Sequence, residues 1–154
     1  MLIHGSSMPT RTNYLDLDPT YKDAWGQPLL RMTFELPEND IKMTQFCVDR
    51  AVEIGKRMGG KAVAGYVRKR PFTTQKYQTT HNTGGVIMGA DPKTSALNRY
   101  LQSWDVHNVF VVGASAYPQN PGYNPTDTLG ALAYWSVNAI KKQYLKNPRP
   151  MVST

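Results

Sequence analysis

Along the 154 residues the spacing of apolar positions changes several times. "TRTNYLDLD", residues 10–18, alternates well enough for a strand with one wet face. "DPTYKDAWGQP" then reads as turns, punctuated by Pro19, Gly26 and Pro28. "LLRMTFEL" follows as a second strand. From Pro37 the period lengthens to that of a helix. Ile41, Met43, Phe46, Cys47, Val48, Ala51, Val52, Ile54 and Met58 form its apolar stripe, and Gly59-Gly60 ends it.

Beyond the short apolar run "AVAGYV", a basic and polar connector extends to Thr80. "THNTGGVIMG" comes next, a histidine beside an uncharged run with three glycines. "ALNRYLQSW" fits either a short strand or one helical turn. "VHNVFVVGAS" holds a near-continuous apolar run, Val109 to Val112, that stops at glycine. Such a run predicts a strand buried on both faces. The chain supplies few strands to flank it, which points to an absent partner. "AYPQNPGYNP" is a loop with three prolines. A last helix is predicted from about Thr126 to Leu145, with Leu129, Leu132, Ala133, Val137 and Ile140 facing inward.

Composition narrows the function classes. No apolar run approaches the ~18 residues of a membrane span. The first residues lack the basic and apolar regions of a secretory signal. Cys47 is the one cysteine, and its place on the apolar stripe makes it a core residue rather than a nucleophile. No His, Cys, Asp or Glu cluster has metal-ligand spacing. The net charge of +7 collects in "GKRMGGK", "VRKR" and "KKQYLKNPRP". Nucleic acid is the first partner such a balance suggests. No helix-turn-helix, zinc finger or paired-aromatic motif supports it. A solvated basic face, or one meeting an acidic partner domain, accounts for the charge.

Two places carry candidate chemistry. An imidazole such as that of His81 can take a hydroxyl proton, while Gly84 and Gly85 let backbone approach a bulky ligand. In "GYNPTDTLGALAYW", Asn124 is placed to cap a helix and Pro125 to occupy its first position. The amides of Thr126, Asp127 and Thr128 would then point outward at a positive helix end, suited to an anion or to ordinary capping. His107 reads as a turn residue before the buried strand, and Tyr123 and Trp135 read as packing.

"HNTGGVIMGADP" followed by "VHNVFVVGASAYPQNPGYNPTDTLGALAYWSVNAI" resembles the C-terminal part of a glucose-methanol-choline (GMC) oxidoreductase. It is most similar, within that family, to the flavoprotein subunits of bacterial gluconate 2-dehydrogenases. The resemblance spans Met8 to Ile140 and is strongest from Thr80 onward. It implies an FAD-dependent oxidation of a CH–OH group in a sugar or sugar acid. By that resemblance His81 is the general base, and hydride passes from the substrate carbon to flavin N5. Asn124 holds the same oxygen, while Pro125 and Thr126 lie against the flavin. Gly113, Ala114 and Ser115 approach the ribityl-phosphate region of the cofactor. Gly113 departs from the family, which often has Asp there.

The same resemblance implies an α+β fragment of a two-domain flavoprotein. Residues 1–79 would belong to the antiparallel sheet of the substrate-binding domain. Residues 80–147 would supply the C-terminal strand and helix of the FAD-binding domain, and 148–154 a tail. The Gly-x-Gly-x-x-Gly turn that cradles FAD pyrophosphate is absent from the sequence, so the FAD site is incomplete and the chain resembles roughly the last third of such an enzyme. Alone it is expected to be inactive. Its implied partners are the N-terminal FAD-binding portion, a small subunit, a multihaem cytochrome c subunit and a sugar or sugar-acid substrate, at the periplasmic face of a bacterial inner membrane. Two other readings stay open: a non-catalytic basic module for a polyanion, and a pyranose-oxidase-like fragment.

Overall fold

A computed structural model describes residues 3–73 and 81–153. The connector expected before the histidine loop lies partly outside them. The chain divides into two units, Met1–Gly5 with Thr10–Gln78, and Ser6–Pro9 with Thr79–Thr154. Together they give a small α+β structure with a two-stranded antiparallel sheet and two helices.

In the first unit, β1 (Tyr14–Lys22) pairs with β2 (Pro28–Thr33). The register runs regularly from Tyr14↔Thr33 to Leu17↔Leu30 and then slips before Lys22↔Pro28. Pro19 stands at the slip, where it cannot donate to the ladder. The Asp18 carboxylate accepts from the amides of Thr20 and Tyr21 at 2.8 Å each, replacing part of the lost pairing. At the other end the Asn13 side chain extends the ladder, donating to the Glu35 carbonyl at 3.0 Å and accepting from its amide at 2.9 Å. The expected strand forms, but it runs on to Lys22, through residues 19–22 that the sequence reads as turns. Leu15 and Leu17 are exposed while Asp16 and Asp18 are half-buried. Among the described residues of this unit, no second layer covers the leucine face of the two-stranded ribbon.

Helix α1 spans Glu38–Arg57, with Pro37 before it and acidic residues in its first turn. Its end follows from glycine chemistry. Gly59 adopts φ +85°, the Gly60 amide reaches the Gly55 carbonyl at 3.1 Å, and the Gly59 amide reaches Lys56 at 3.0 Å. That double bond is the Schellman closure. None of the helix's residues is buried, so Cys47 is half-buried rather than core. Phe46 and Met58 of the predicted stripe are exposed. "AVAGYV" forms no strand.

The second unit is less regular and better packed. Helix α2 runs Thr126–Lys142, followed by a single 3-10 turn at Tyr144–Lys146. Leu97, Leu101 and Ala116 form a buried cluster, with Val86, Met88, Val111 and Leu132 against it. Leu132 meets expectation. Val137 does not: it is exposed, and Ser136 and Ala139 are the buried positions of α2. "ALNRYLQSW" is neither strand nor helix. It turns tightly at Asn98–Leu101, with Leu101 at φ +62°.

The strand expected at Val109–Val112 is reduced to one antiparallel bridge, Gln102↔Phe110, and Val109 and Val112 are each 43% exposed. Only the Leu101–Ser103 side is paired, through Val111 N–H to Leu101 and Ser103 N–H to Val109, both at 2.9 Å. A strand sheltered on both faces needs neighbours that the described residues do not supply. Residues 149–151, expected in a tail, are instead tied to Gln102. No helix among the described residues is long and apolar enough to cross a membrane.

Candidate functional site

The candidate residues lie in the second unit, on two stretches that run together. The glycine loop pairs with the turn at residues 113–117 through three backbone bonds. Gly84 N–H donates to Ala114, Val86 to Ser115 and Met88 to Ala116, at 3.0, 3.0 and 2.9 Å. Gly84 and Gly85 sit at φ +83° and +99°, conformations that L side chains rarely take. A Cβ on Gly85 would meet nothing within 4 Å, so this backbone faces open space. The glycines do what a close-approach loop requires.

Gly113 is extended, a geometry open to any residue. A Cβ there would meet only Ser115 Oγ, at 3.8 Å. A Cβ is therefore accommodated at this position without displacing backbone. Ala114 and Ser115 are half-buried, in a single 3-10 turn that ends at the buried Ala116.

From this turn, Tyr117 reaches the start of α2. Its hydroxyl donates to the Pro125 carbonyl at 2.8 Å, and the ring is 4% exposed. Burial pushes its phenol above the ordinary tyrosine range, with a hydrogen bond to Thr128 acting the other way. Pro125 also accepts from the Leu129 amide at 2.9 Å. The start of α2 differs from expectation. The helix begins at Thr126, Pro125 takes the capping place with dihedrals of −85° and −6°, and Asn124 is exposed, with no capping hydrogen bond to its side chain among the described residues. Proline has no side-chain acceptor, so the first-turn amides of Thr126, Asp127 and Thr128 have no capping bond from it.

His81 is half-buried, and its carbonyl accepts from Asn120 Nδ2 at 2.7 Å. Asn120 and Tyr117 are the residues that sequence reasoning missed. A signal for Asn120 was available: asparagine before Pro-Gly favours a turn in which its own side chain binds the amide two residues on. Asn120 Oδ1 does accept from Gly122 at 3.0 Å. The structure thus brings the His81 loop, the 113–117 turn and the loop leading to Asn124 onto one framework. It gives no direct bond between His81 and Asn124.

FAD can be tested against this donor set. Outward amides at the positive end of α2, together with open glycine backbone, suit the acceptor atoms of a flavin ring. The sequence holds no glycine-rich turn for a pyrophosphate. The residues present therefore fit the flavin end of FAD and not its phosphate end.

Comparison with known proteins shows what the chain is similar to. Residues 9–133 match the family model for the C-terminal domain described as GMC oxidoreductase. The chain is 60% identical over 152 residues to the gluconate 2-dehydrogenase flavoprotein of Pantoea cypripedii, covering 97% of this chain and 25% of that protein. It is 33% identical over 146 residues to the 2-methyl-1,2-propanediol dehydrogenase of Mycolicibacterium austroafricanum, covering 94% and 25%. It is 32% identical over 133 residues to the fructose dehydrogenase large subunit of Gluconobacter japonicus, covering 86% and 23%. The chain spans about a quarter of the length of these relatives, less than the third expected from sequence. The matched residues 9–133 hold both the paired glycine loop and the start of α2, and the chain belongs to the GMC oxidoreductase family.

Proposed function

We propose that this chain supplies the substrate-facing base and part of the flavin-facing surface of an FAD-dependent dehydrogenase acting on a CH–OH group of a sugar or sugar acid, with gluconate the leading candidate. The observation that carries this reading is the pinning of the His81 loop onto residues 114–120. A catalytic base acts only from a fixed position within hydrogen-bond reach of the proton it takes.

In this reading, His81 takes the proton of the substrate hydroxyl, and Asn124 hydrogen-bonds the same oxygen and orients it. Bound FAD supplies the acceptor for the two electrons that leave the alcohol carbon. The amides at Thr126–Thr128, beside Pro125, donate to acceptor atoms of the ring. The backbone of Gly113, Ala114 and Ser115 would approach the ribityl-phosphate region. Residues 1–79 serve the substrate domain and residues 80–147 the FAD domain. A separate FAD-binding portion completes the site, and a small subunit and a cytochrome c subunit carry electrons onward. Without that portion the chain is inactive and holds FAD weakly.

The test is a chimera in which this chain replaces the matching quarter of the Pantoea cypripedii flavoprotein. Gluconate-dependent reduction of an artificial acceptor is expected, with the purified chain alone inactive under the same conditions. A chimera that binds FAD yet oxidises no sugar or sugar acid would overturn the reading.

A further inference from the structure

We infer that Asn120 is a positioning residue for His81: its side-chain amide fixes the histidine's backbone and ties that position to the loop carrying Asn124. This rests on the reading of His81 as the base. Four observations carry it.

The first is the bond itself, 2.7 Å from Asn120 Nδ2 to the His81 carbonyl across 39 residues of sequence. The second is its direction. Asn120 Oδ1 accepts from the Gly122 amide at 3.0 Å, and a backbone amide can only donate. Nδ2 is therefore the atom turned toward His81, whose carbonyl can only accept. The amide has one sensible orientation, and both partners enforce it.

The third is that Asn120 is itself held. Its amide and carbonyl form an antiparallel bridge with Ser7, at 2.8 and 3.1 Å. Ser6 Oγ donates to the same carbonyl at 2.9 Å. An anchor that is fixed at its own backbone transmits position rather than following it. The fourth is a second anchor three residues beyond His81, where Gly84 N–H meets the Ala114 carbonyl at 3.0 Å. His81 thus begins a stretch, residues 81–84, held at both ends by residues 114–120. Asn120 also shapes the turn at Gly122, two residues before Asn124. One side chain thereby sets the relative placement of the two groups that grip the substrate oxygen.

Two substitutions separate this role from simple folding. Asn120→Asp keeps the size, the Ser7 bridge and the acceptor for Gly122, but puts an oxygen against the His81 carbonyl. Asn120→Ser keeps an acceptor for the turn and is too short to reach His81. Each is made in the chimera, FAD content is measured, and flavin reduction by gluconate is followed per bound flavin. The expected result is about a tenfold or greater fall in the reduction rate at saturating gluconate, with KM changed far less. His81→Asn and the double variant complete a cycle. Because Asn120 acts through His81, His81→Asn with Asn120→Asp should be no slower than His81→Asn alone.

Normal reduction in both Asn120 variants, with His81→Asn slow, overturns the inference and leaves the His81 reading standing. Rates that multiply in the double variant overturn it too, because Asn120 would then act elsewhere. Near-normal reduction in His81→Asn overturns the reading of His81, and the inference with it.

Discussion

The two units of this chain invert each other. The first has most of the regular strand and a 20-residue helix, yet Leu36 is its one buried side chain among the described residues. The second has one long helix and otherwise bends, bridges and single turns, yet holds the buried cluster and a dense set of long-range side-chain bonds. Regular hydrogen bonding and burial are separate achievements. Helix and hairpin satisfy their own backbone locally, without needing a core. Irregular backbone must be satisfied by side chains drawn from elsewhere, and Gln102, Asn98, Tyr117 and Asn120 do this in the second unit.

The contrast sharpens most at Gln102. It is fully buried, and its amide donates to the carbonyls of His107 and Arg149 at 2.7 and 3.0 Å. Its oxygen accepts from Asn98 and from the Met151 amide, at 3.0 and 2.9 Å. Replacing it with leucine orphans several of these groups. Gln102→Leu is expected to destabilise the second unit by about 3 kcal/mol or more, read by hydrogen exchange at Leu101 and Val111. Exchange that stays slow there would mean that the apolar cluster, not the amide, holds the unit.

A smaller loss is expected at Gly84. Alanine at φ +83° costs roughly 1–2 kcal/mol, and Gly84→Ala should lower the thermal midpoint while Gly113→Ala, at an extended position, should not. Equal effects would show that backbone conformation is not what the loop selects for.

Tyr117→Phe removes the bond to Pro125 and should cost about 1 kcal/mol at neutral pH. Its alkaline behaviour is more telling. The folded phenol titrates above its unfolded value, so its contribution is intact below the ordinary tyrosine pKa and is lost as pH rises toward the folded one. Wild type should weaken over that window relative to Tyr117→Phe.

The smallest effect belongs to the hairpin. Arg31 bonds the Asp16 carboxylate, with the Nε contact at 2.8 Å, and holds its pKa below the usual range. The contribution is present above the ordinary carboxylate pKa and fades as pH falls through the lowered one. On so exposed a pair, Asp16→Asn should barely move a melt above pH 5 and should flatten only the acid limb.

What the sequence made legible follows the same division. Both strands, the Gly59 stop and the α2 helix were readable because period and glycine chemistry are local. Which faces would be covered was not: alternation marks Leu15 and Leu17 as sharing a face, but both are exposed, because burial depends on a second layer that period cannot reveal. Leu101 defies any propensity, a leucine at φ +62° inside the core. Its conformation is imposed by the Asn98 turn and the Val111 pairing around it. At the site, His81 and the α2 start were visible as residue types in a spacing. The bonds that relate them were not, because a contact between Asn120 and His81 is settled by the folded path of the chain and leaves only a turn signal behind.

The central claim is that His81 is the base. Its most direct test is anaerobic stopped-flow loss of the flavin's visible absorbance when the chimera meets gluconate, with wild type compared to His81→Asn at equal FAD content. If His81 takes the hydroxyl proton, reduction is slower by about 10²-fold or more in the variant. Reduction at the wild-type rate would contradict it.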